Sequence, residues 1–353
     1  MSLSLSSLRL PAHPHQLEVQ EFDSYDLIVD LRDADGYADD HLPGAVSVPW
    51  SSLADDQVTT VWPPALEEHL APLTPGAPVL VYCDRGGLDS ALLTAVLTQR
   101  GHVADALPGG WPSYRRWVTA SIEVLARAMS FHWIRCAPAA GTPAVLNALE
   151  AHGQQVLPLG GILSQKIFPG ISLPGDVTPS QAAFETRLVD ALRRQDPGRP
   201  VWVCEPMWLN ERVGLPVPMQ DSLRRSQALR LESSMQDRVA ALQSQLEAQR
   251  SGTDEPVGSL IESLQRVIPA DHAVRLNSAR KQAKRGHRVK ALTSLLADGI
   301  DPMYQALATP SVPARETTLS LSSLSEESAW ASLLTLPEPW RQALLADADQ
   351  ISP

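Results

Sequence analysis

Cys83 ends an apolar run, Ala77-Pro78-Val79-Leu80-Val81-Tyr82, and opens the loop Cys83-Asp84-Arg85-Gly86-Gly87-Leu88-Asp89-Ser90. A helix-like stretch, Ala91 to Thr98, follows. A thiol at a strand end, facing loop N–H groups and a helix N-terminus, is placed to ionise, because those dipoles favour negative charge on sulfur. A thiolate so held can carry a transferable atom. Gly86 and Gly87 beside it, with the cation of Arg85, point to chemistry rather than to a merely buried cysteine. Arg85 would favour the thiolate and attract an anionic donor. The candidate active-site set is therefore Cys83 with Arg85, Gly86, Gly87 and Ser90 in its loop.

Three more residues support that set. Asp30 and Arg32 lie at another strand end and are expected to form an ion pair that orients the loop. His41, in a turn, is expected to act as a structural hydrogen-bonder rather than as a base. Far downstream, Arg280-Lys281-Gln282-Ala283-Lys284-Arg285-Gly286-His287-Arg288-Val289-Lys290 is the one dense basic run. Lys281, Lys284, Arg285 and Arg288 are candidate contacts to a nucleic-acid backbone, and a solvated helix face is the equal alternative. No His/Cys cluster has zinc spacing, so no metal is expected.

Composition sets the frame. The chain has 353 residues, 44% of them hydrophobic, and a net charge of −11, enough for two or three domains. The acidic balance argues against indiscriminate nucleic-acid binding but leaves room for a local basic patch. Three cysteines, Cys83, Cys136 and Cys204, make no disulfide framework. With no membrane-length apolar run and no signal-like start, the expected setting is the cytoplasm. Proline is abundant, at 30 residues, and clusters at expected junctions such as 197–200, 206–218 and 310–313.

The elements that must position these residues alternate. Asp26–Leu31, Ala45–Val48 and Val79–Cys83 read as strands, with helical patterns between and after them, the rhythm of a parallel α/β sheet. A second α/β segment begins near Ser130. Its expected strands are Phe131–Cys136, Gln155–Leu159 and Pro200–Cys204. Its expected helices are Thr142–His152, capped by Thr142 with Pro143 at the first position, and Ser180–Arg194. From about Gln220 the chain reads as mostly helical, with Ser233–Arg250 and Val289–Leu296 as helices and a linker at 251–256. Residues 309–329 read as weakly ordered, with one short helix over Trp330–Leu345.

Asp30, Arg32, Tyr37, His41, Pro43, Gly44 and Ala45, followed by Cys83, resemble the rhodanese superfamily. That resemblance implies a chalcogen atom, sulfur or selenium, held on Cys83 and passed on when a nucleophile attacks it. More narrowly, Cys83–Ser90 resembles the Cys-x-Arg-Gly-Gly-x-Arg-Ser loop of bacterial tRNA 2-selenouridine synthases. Leu107–Val118, Gln155–Gly161, Pro179–Glu185 and Asp301-Pro302-Met303-Tyr304 resemble further segments of that family, in the same order. The resemblance implies action on the wobble 2-thiouridine of tRNA, whose sulfur is exchanged for selenium by way of a geranylated intermediate. It implies selenophosphate and geranyl diphosphate as co-substrates, no tightly bound cofactor, and tRNA as partner, with a sulfur or selenium donor protein as a possible second. It also implies a P-loop-type second domain.

The chain departs from that family's pattern at several points. At the phosphate loop it reads Cys136-Ala137-Pro138-Ala139-Ala140-Gly141-Thr142-Pro143, keeping Gly141 and Thr142 but no lysine, and two prolines remove N–H donors. Asp89 replaces an arginine beside the thiol, and Glu205 is the remaining carboxylate of Cys204-Glu205-Pro206-Met207-Trp208. The expected organisation is a rhodanese-like domain over 1–125, a degenerate P-loop-like α/β domain over 126–250, a helical region over 251–308 and a weakly ordered tail over 309–353. The expected activity is sulfur or selenium transfer to tRNA. A rhodanese-type sulfurtransferase without tRNA chemistry and a non-catalytic tRNA- or partner-binding relative stay open.

Overall fold

The computed structural model describes residues 19–50, 53–54, 57–58, 62–84, 87–163, 167–168, 170–174, 176–204, 213–248, 256–307 and 315–345. Arg85, Gly86, Glu205–Trp208 and most of the expected linker and tail junction lie outside them. The chain divides into two units. The first holds the chain through Ile122 together with Ala182–Asp190, and the second holds Glu123–Gln181 and the chain from Ala191 onward.

The first unit runs β1 (Leu27–Asp30), α1 (Ala34–Asp39), β2 (Ala45–Ser47), the short antiparallel pair β3 (Leu53–Ala54) and β4 (Gln57–Val58), α2 (Pro64–Leu70), β5 (Pro78–Tyr82), α3 (Leu88–Gln99), β6 (Val103–Ala106) and α4 (Gly110–Ala128), which continues into the second unit. Four of these strands make a parallel sheet in the order β2-β1-β5-β6. All of β1 is buried, and so is β5 after Pro78, because strands covered on both faces need apolar side chains at every position. In the register, Asp30 lies opposite Tyr82, so the carboxyl ends of β1 and β5 finish together with Cys83 next in line. Open α/β sheets carry their sites at that edge.

The second unit is also α/β. The chain here runs β7 (Phe131–Cys136), α5 (Thr142–Ala151), β8 (Gln155–Leu157), α6 (Leu159–Ile162), α7 (Gln181–Leu192, whose Ala182–Asp190 belongs to the first unit), β9 (Val201–Cys204), α8 (Val217–Arg225), β10 (Gln227–Glu232) and α9 (Met235–Ala248). Then come α10 (Pro256–Val267), α11 (Ala270–Arg275), α12 (Asn277–Lys284), α13 (Arg288–Ser294), α14 (Asp301–Leu307), β11 (Arg315–Ser320), α15 (Glu326–Leu333) and α16 (Trp340–Leu345). Its five parallel strands take the order β11-β10-β7-β9-β8, with β7 central. Residues 256–307 form the helical C-terminal region. No helix among the described residues is long and apolar enough to cross a membrane.

Four expectations change. The middle of α7, Ala182–Asp190, groups with the first unit although the sequence places it in a second domain. Phe184, Leu188 and Val189 are fully buried, which draws that stretch into a core. The helix α9 packs across the expected boundary at residue 250, sharing one apolar cluster with Phe168 and Ile171 before it as well as with the later helices. Its Val239, Leu242 and Leu246 share one apolar cluster with Leu260, Ile261 and Leu264 of α10 and Leu292 of α13. The segment after Gln220 is not wholly helical, since Gln227–Glu232 pairs with β7 through backbone hydrogen bonds. Finally, the tail is not weakly ordered over 315–345. The strand β11 pairs with β10, and Leu319, Leu321, Leu333, Trp340 and Leu344 bury their apolar surface in the core on that side of the sheet.

Candidate functional site

Cys83 follows β5 directly and is 1% exposed. Its Sγ lies 3.5 Å from the Ser90 Oγ at the start of α3. The Ser90 hydroxyl also reaches the Gly87 carbonyl, 3.1 Å away. Gly87 adopts φ +94°, a left-handed conformation that glycine accepts without strain, and it turns the loop into α3. Cys83 and Ser90 are thus brought together, and Gly87 sets the turn between them. Arg85 and Gly86 lie outside the described residues. Asp89 is 3% exposed and has an interaction partner, so it is not a bare anion beside the thiol.

The backbone of Cys83 is pinned from a second side. The Trp111 N–H donates to the Cys83 carbonyl at 2.9 Å. Gly110, at φ +58°, comes so close that a Cβ there would stand 2.3 Å from that same oxygen. The turn at Gly109-Gly110 is therefore tight because backbone meets backbone. The Trp111 ring does not stand free: the Arg32 guanidinium lies 3.8 Å from its centre, and the Tyr82 ring stacks at 6.1 Å.

Arg32 and Asp30 form a buried fork. Arg32 Nη2 donates to Asp30 Oδ2 at 2.7 Å and its Nε to Oδ1 at 3.1 Å. The Tyr82 hydroxyl adds a bond to Asp30 Oδ2 at 2.6 Å, and the Leu42 N–H donates to the Tyr82 oxygen at 3.2 Å. Burial, followed by the Asp30 charge, pushes the Tyr82 phenol well up, so it stays a donor. A buried pair is tolerated when further hydrogen bonds support it, and here the Tyr82 hydroxyl and the Arg32 backbone N–H donate to the Asp30 carboxylate. Arg32 Nη2 also reaches the Asp40 carbonyl at 2.5 Å. His41 stacks on Tyr37 at 4.1 Å and shares a 2.8 Å hydrogen bond with the Tyr37 carbonyl. These residues hold the strand ends in place.

Sequence reasoning did not find the network around Asp40. Its Oδ2 accepts from Thr186 Oγ1 at 2.9 Å and from Arg115 Nη1 at 3.1 Å. Arg115 also bonds Glu185 at 2.7 Å. Burial raises the Asp40 carboxyl, while Thr186 and Arg115 oppose that rise. No local signal could reveal a partnership across 146 residues.

In the second unit, the loop after β7 leads into α5, at the place a phosphate cradle would occupy. Gly141, at φ +97°, is the residue before the helix, and Thr142 is the first helical residue, so the expected Thr142 cap is corrected. The Thr142 hydroxyl is instead 2.9 Å from the Cys136 Sγ. A Cβ on Gly141 would meet Leu324 at 2.6 Å and Leu321 at 3.0 Å, so apolar side chains stand against the loop. The Pro138 carbonyl accepts from Arg238 Nε at 3.0 Å, and Arg238 pairs with Asp301 Oδ2 at 2.8 Å. Asp301-Pro302-Met303-Tyr304 thus contributes an ion-pair partner that holds this loop. The basic run falls on α12, the turn after it and α13. Lys281, Lys284 and Arg285 are exposed and Arg288 is half-buried.

A parallel sheet with a thiol at the end of β5 and a glycine turn into α3 defines a rhodanese-like domain, and residues 15–116 match the family model of that description. Over a longer stretch the chain is similar to tRNA 2-selenouridine synthases. It is 25% identical over 250 residues to that of Marinobacter nauticus, a match covering 64% of this chain and 66% of the relative. It is 26% identical over 248 residues to that of Alcanivorax borkumensis, covering 64% and 67%. A crystal structure of the BH2092 protein from Bacillus halodurans matches 28% of this chain and 63% of its own, at 23% identity and a TM-score of 0.20.

Proposed function

We propose that the chain, like the relatives named tRNA 2-selenouridine synthase, modifies tRNA, and that it does so as a chalcogen transferase that carries sulfur or selenium on Cys83 and acts at the wobble 2-thiouridine. The observation that supports this most is Cys83 itself, held at the strand end by Ser90 and by the Trp111 N–H. A Cys83 thiolate attacks the outer sulfur of a donor such as thiosulfate, forms an S–S bond and releases sulfite. An acceptor nucleophile then takes the outer sulfur, and the Cys83 thiolate leaves. Selenophosphate and geranyl diphosphate are the proposed co-substrates for the selenium reaction. Lys281, Lys284, Arg285 and Arg288 are the proposed contacts to tRNA phosphates.

Mass analysis of wobble uridines in a deletion strain tests this reading. Loss of 2-selenouridine, restored by the wild-type chain and not by Cys83→Ala, is expected. Unchanged nucleosides in an organism that makes them would overturn it. Changing the four basic residues to Gln should weaken tRNA binding and flatten its salt dependence by ~1 in log–log slope for each phosphate no longer neutralised. A second reading is favoured by the segment 136–143, where Pro138 and Pro143 lack N–H groups and Leu321 and Leu324 stand over Gly141. Under it the chain is a sulfurtransferase without phosphate chemistry. Thiosulfate-to-cyanide transfer that depends on Cys83, with tRNA nucleosides unaffected, would select it.

A further inference from the structure

Two cysteines meet at the end of the central strand of the second unit. In the register of β7 and β9, Ile134 lies opposite Cys204, so Cys136 stands one step further along the same face. The Cys136 and Cys204 sulfurs are 3.8 Å apart, and Thr142 Oγ1 is 2.9 Å from the first and 3.7 Å from the second. Cys136 is partly exposed, while Cys204 is 7% exposed. The surrounding loop has no lysine and carries leucines against its glycine, so the thiols occupy a place where a phosphate would not be held.

We propose that Cys136 and Cys204 form a peroxide-reactive dithiol, with Cys136 as the attacking thiol and Cys204 as the resolving one. The Cys136 thiolate attacks one oxygen of a hydroperoxide. The O–O bond breaks, the sulfur is oxidised to a sulfenic acid, and hydroxide (or alkoxide) leaves. The Cys204 thiol then attacks that sulfur, loses its proton, and expels water as the S–S bond forms. Two thiols are oxidised and one peroxide is reduced. The surroundings favour this division of roles. Hydrogen bonding with Cys204 holds the Cys136 thiol below its ordinary value against the opposing effect of burial, and Thr142 and the Arg238 cation act in the same direction. A partly exposed, thiolate-prone cysteine beside a buried second thiol is the arrangement that reversible thiol oxidation requires. This pair belongs to the second unit and Cys83 to the first, and the proposal does not depend on the transfer reaction.

The test uses the full-length chain carrying Cys83→Ser, so that only this pair can report. After hydrogen peroxide treatment under native conditions, digestion and mass analysis should find Cys136 and Cys204 peptides linked, and dithiothreitol should separate them. In the further Cys204→Ser variant, Cys136 should accumulate as a sulfenic acid trapped by dimedone. In the further Cys136→Ser variant, Cys204 should resist oxidation. Circular dichroism of each variant checks that it is folded, and if either serine variant is not, the linked peptide in the Cys83→Ser chain decides alone. Over-oxidation of Cys136 with no linked peptide, or linkage only after denaturation, would overturn the proposal.

Discussion

The Ser90 hydroxyl lies 3.5 Å from the Cys83 sulfur and 3.1 Å from the Gly87 carbonyl, so one proton on Ser90 serves two acceptors. While Cys83 is a thiol, its S–H can donate to Ser90, which donates onward to Gly87. Once sulfur carries charge, the hydroxyl turns to it. Ser90→Ala removes that response at a cost of ~1 kcal/mol, about fivefold in rate. Thiosulfate-to-cyanide transfer should fall by about that factor with the melting temperature little changed.

Gly110→Ala should do more damage than Gly87→Ala. At Gly110 a methyl group would collide with the Cys83 carbonyl, an atom of the backbone that cannot swing aside. At Gly87 the nearest atom to a new Cβ is 4.0 Å away, so only the left-handed conformation is penalised, by ~1 kcal/mol. Urea unfolding of the two variants should rank them in that order, with the Gly110 variant also losing Cys83 reactivity.

Thr186→Val should destabilise the first unit although Thr186 lies far along the chain. It removes one of the donors to a buried carboxylate, a loss of ~1–3 kcal/mol. A fall in the melting transition of several degrees, with Cys83 reactivity lost at lower temperature, is the expected outcome. An unchanged transition would show that Arg115 and the His41 backbone N–H satisfy Asp40 without Thr186.

Acid should weaken the second unit through His132. Burial lowers this imidazole from 6.5 to about 4, and its Nδ1 has no hydrogen-bond partner. The folded state therefore resists a proton that the unfolded chain accepts. Its contribution is fully present above pH 6.5 and is lost as the pH falls toward 4, by up to about 3 kcal/mol. His132→Phe, whose ring can keep the contacts to Trp202 and Trp340, should flatten the fall in stability between those pH values. Denaturant melts at pH 7 and pH 4.5 measure it.

The parts of the fold that were legible in the sequence are those whose cause is local. Continuous apolar runs marked β1 and β5, since strands buried on both faces carry no polar alternation. The Cys83 loop was legible because glycines and a thiol adjoin a strand end. The strand Gln227–Glu232 was missed because a short Gln-Ala-Leu-Arg-Leu-Glu segment suits a helix equally well, and only its pairing with β7 decides. The edge strand Arg315–Ser320 buries just Leu319 fully, so it carries almost no apolar signal. The contact of Cys136 with Cys204 was hidden for a different reason. Residues 68 apart become neighbours only when two strands pair in one register.

The inclusion of Ala182–Asp190 in the first unit bears on how the protein is made. Synthesis proceeds from the N-terminus, and contiguous domains fold as they emerge. This unit cannot finish on that schedule. Asp40 waits for Thr186, so β7, α5 and β8 leave the ribosome before the rhodanese-like unit has its last helical piece. The thiol-bearing site and the first half of the second sheet are therefore nascent together, and a chain stopped at residue 125 would leave the Asp40 carboxylate without its partner from α7.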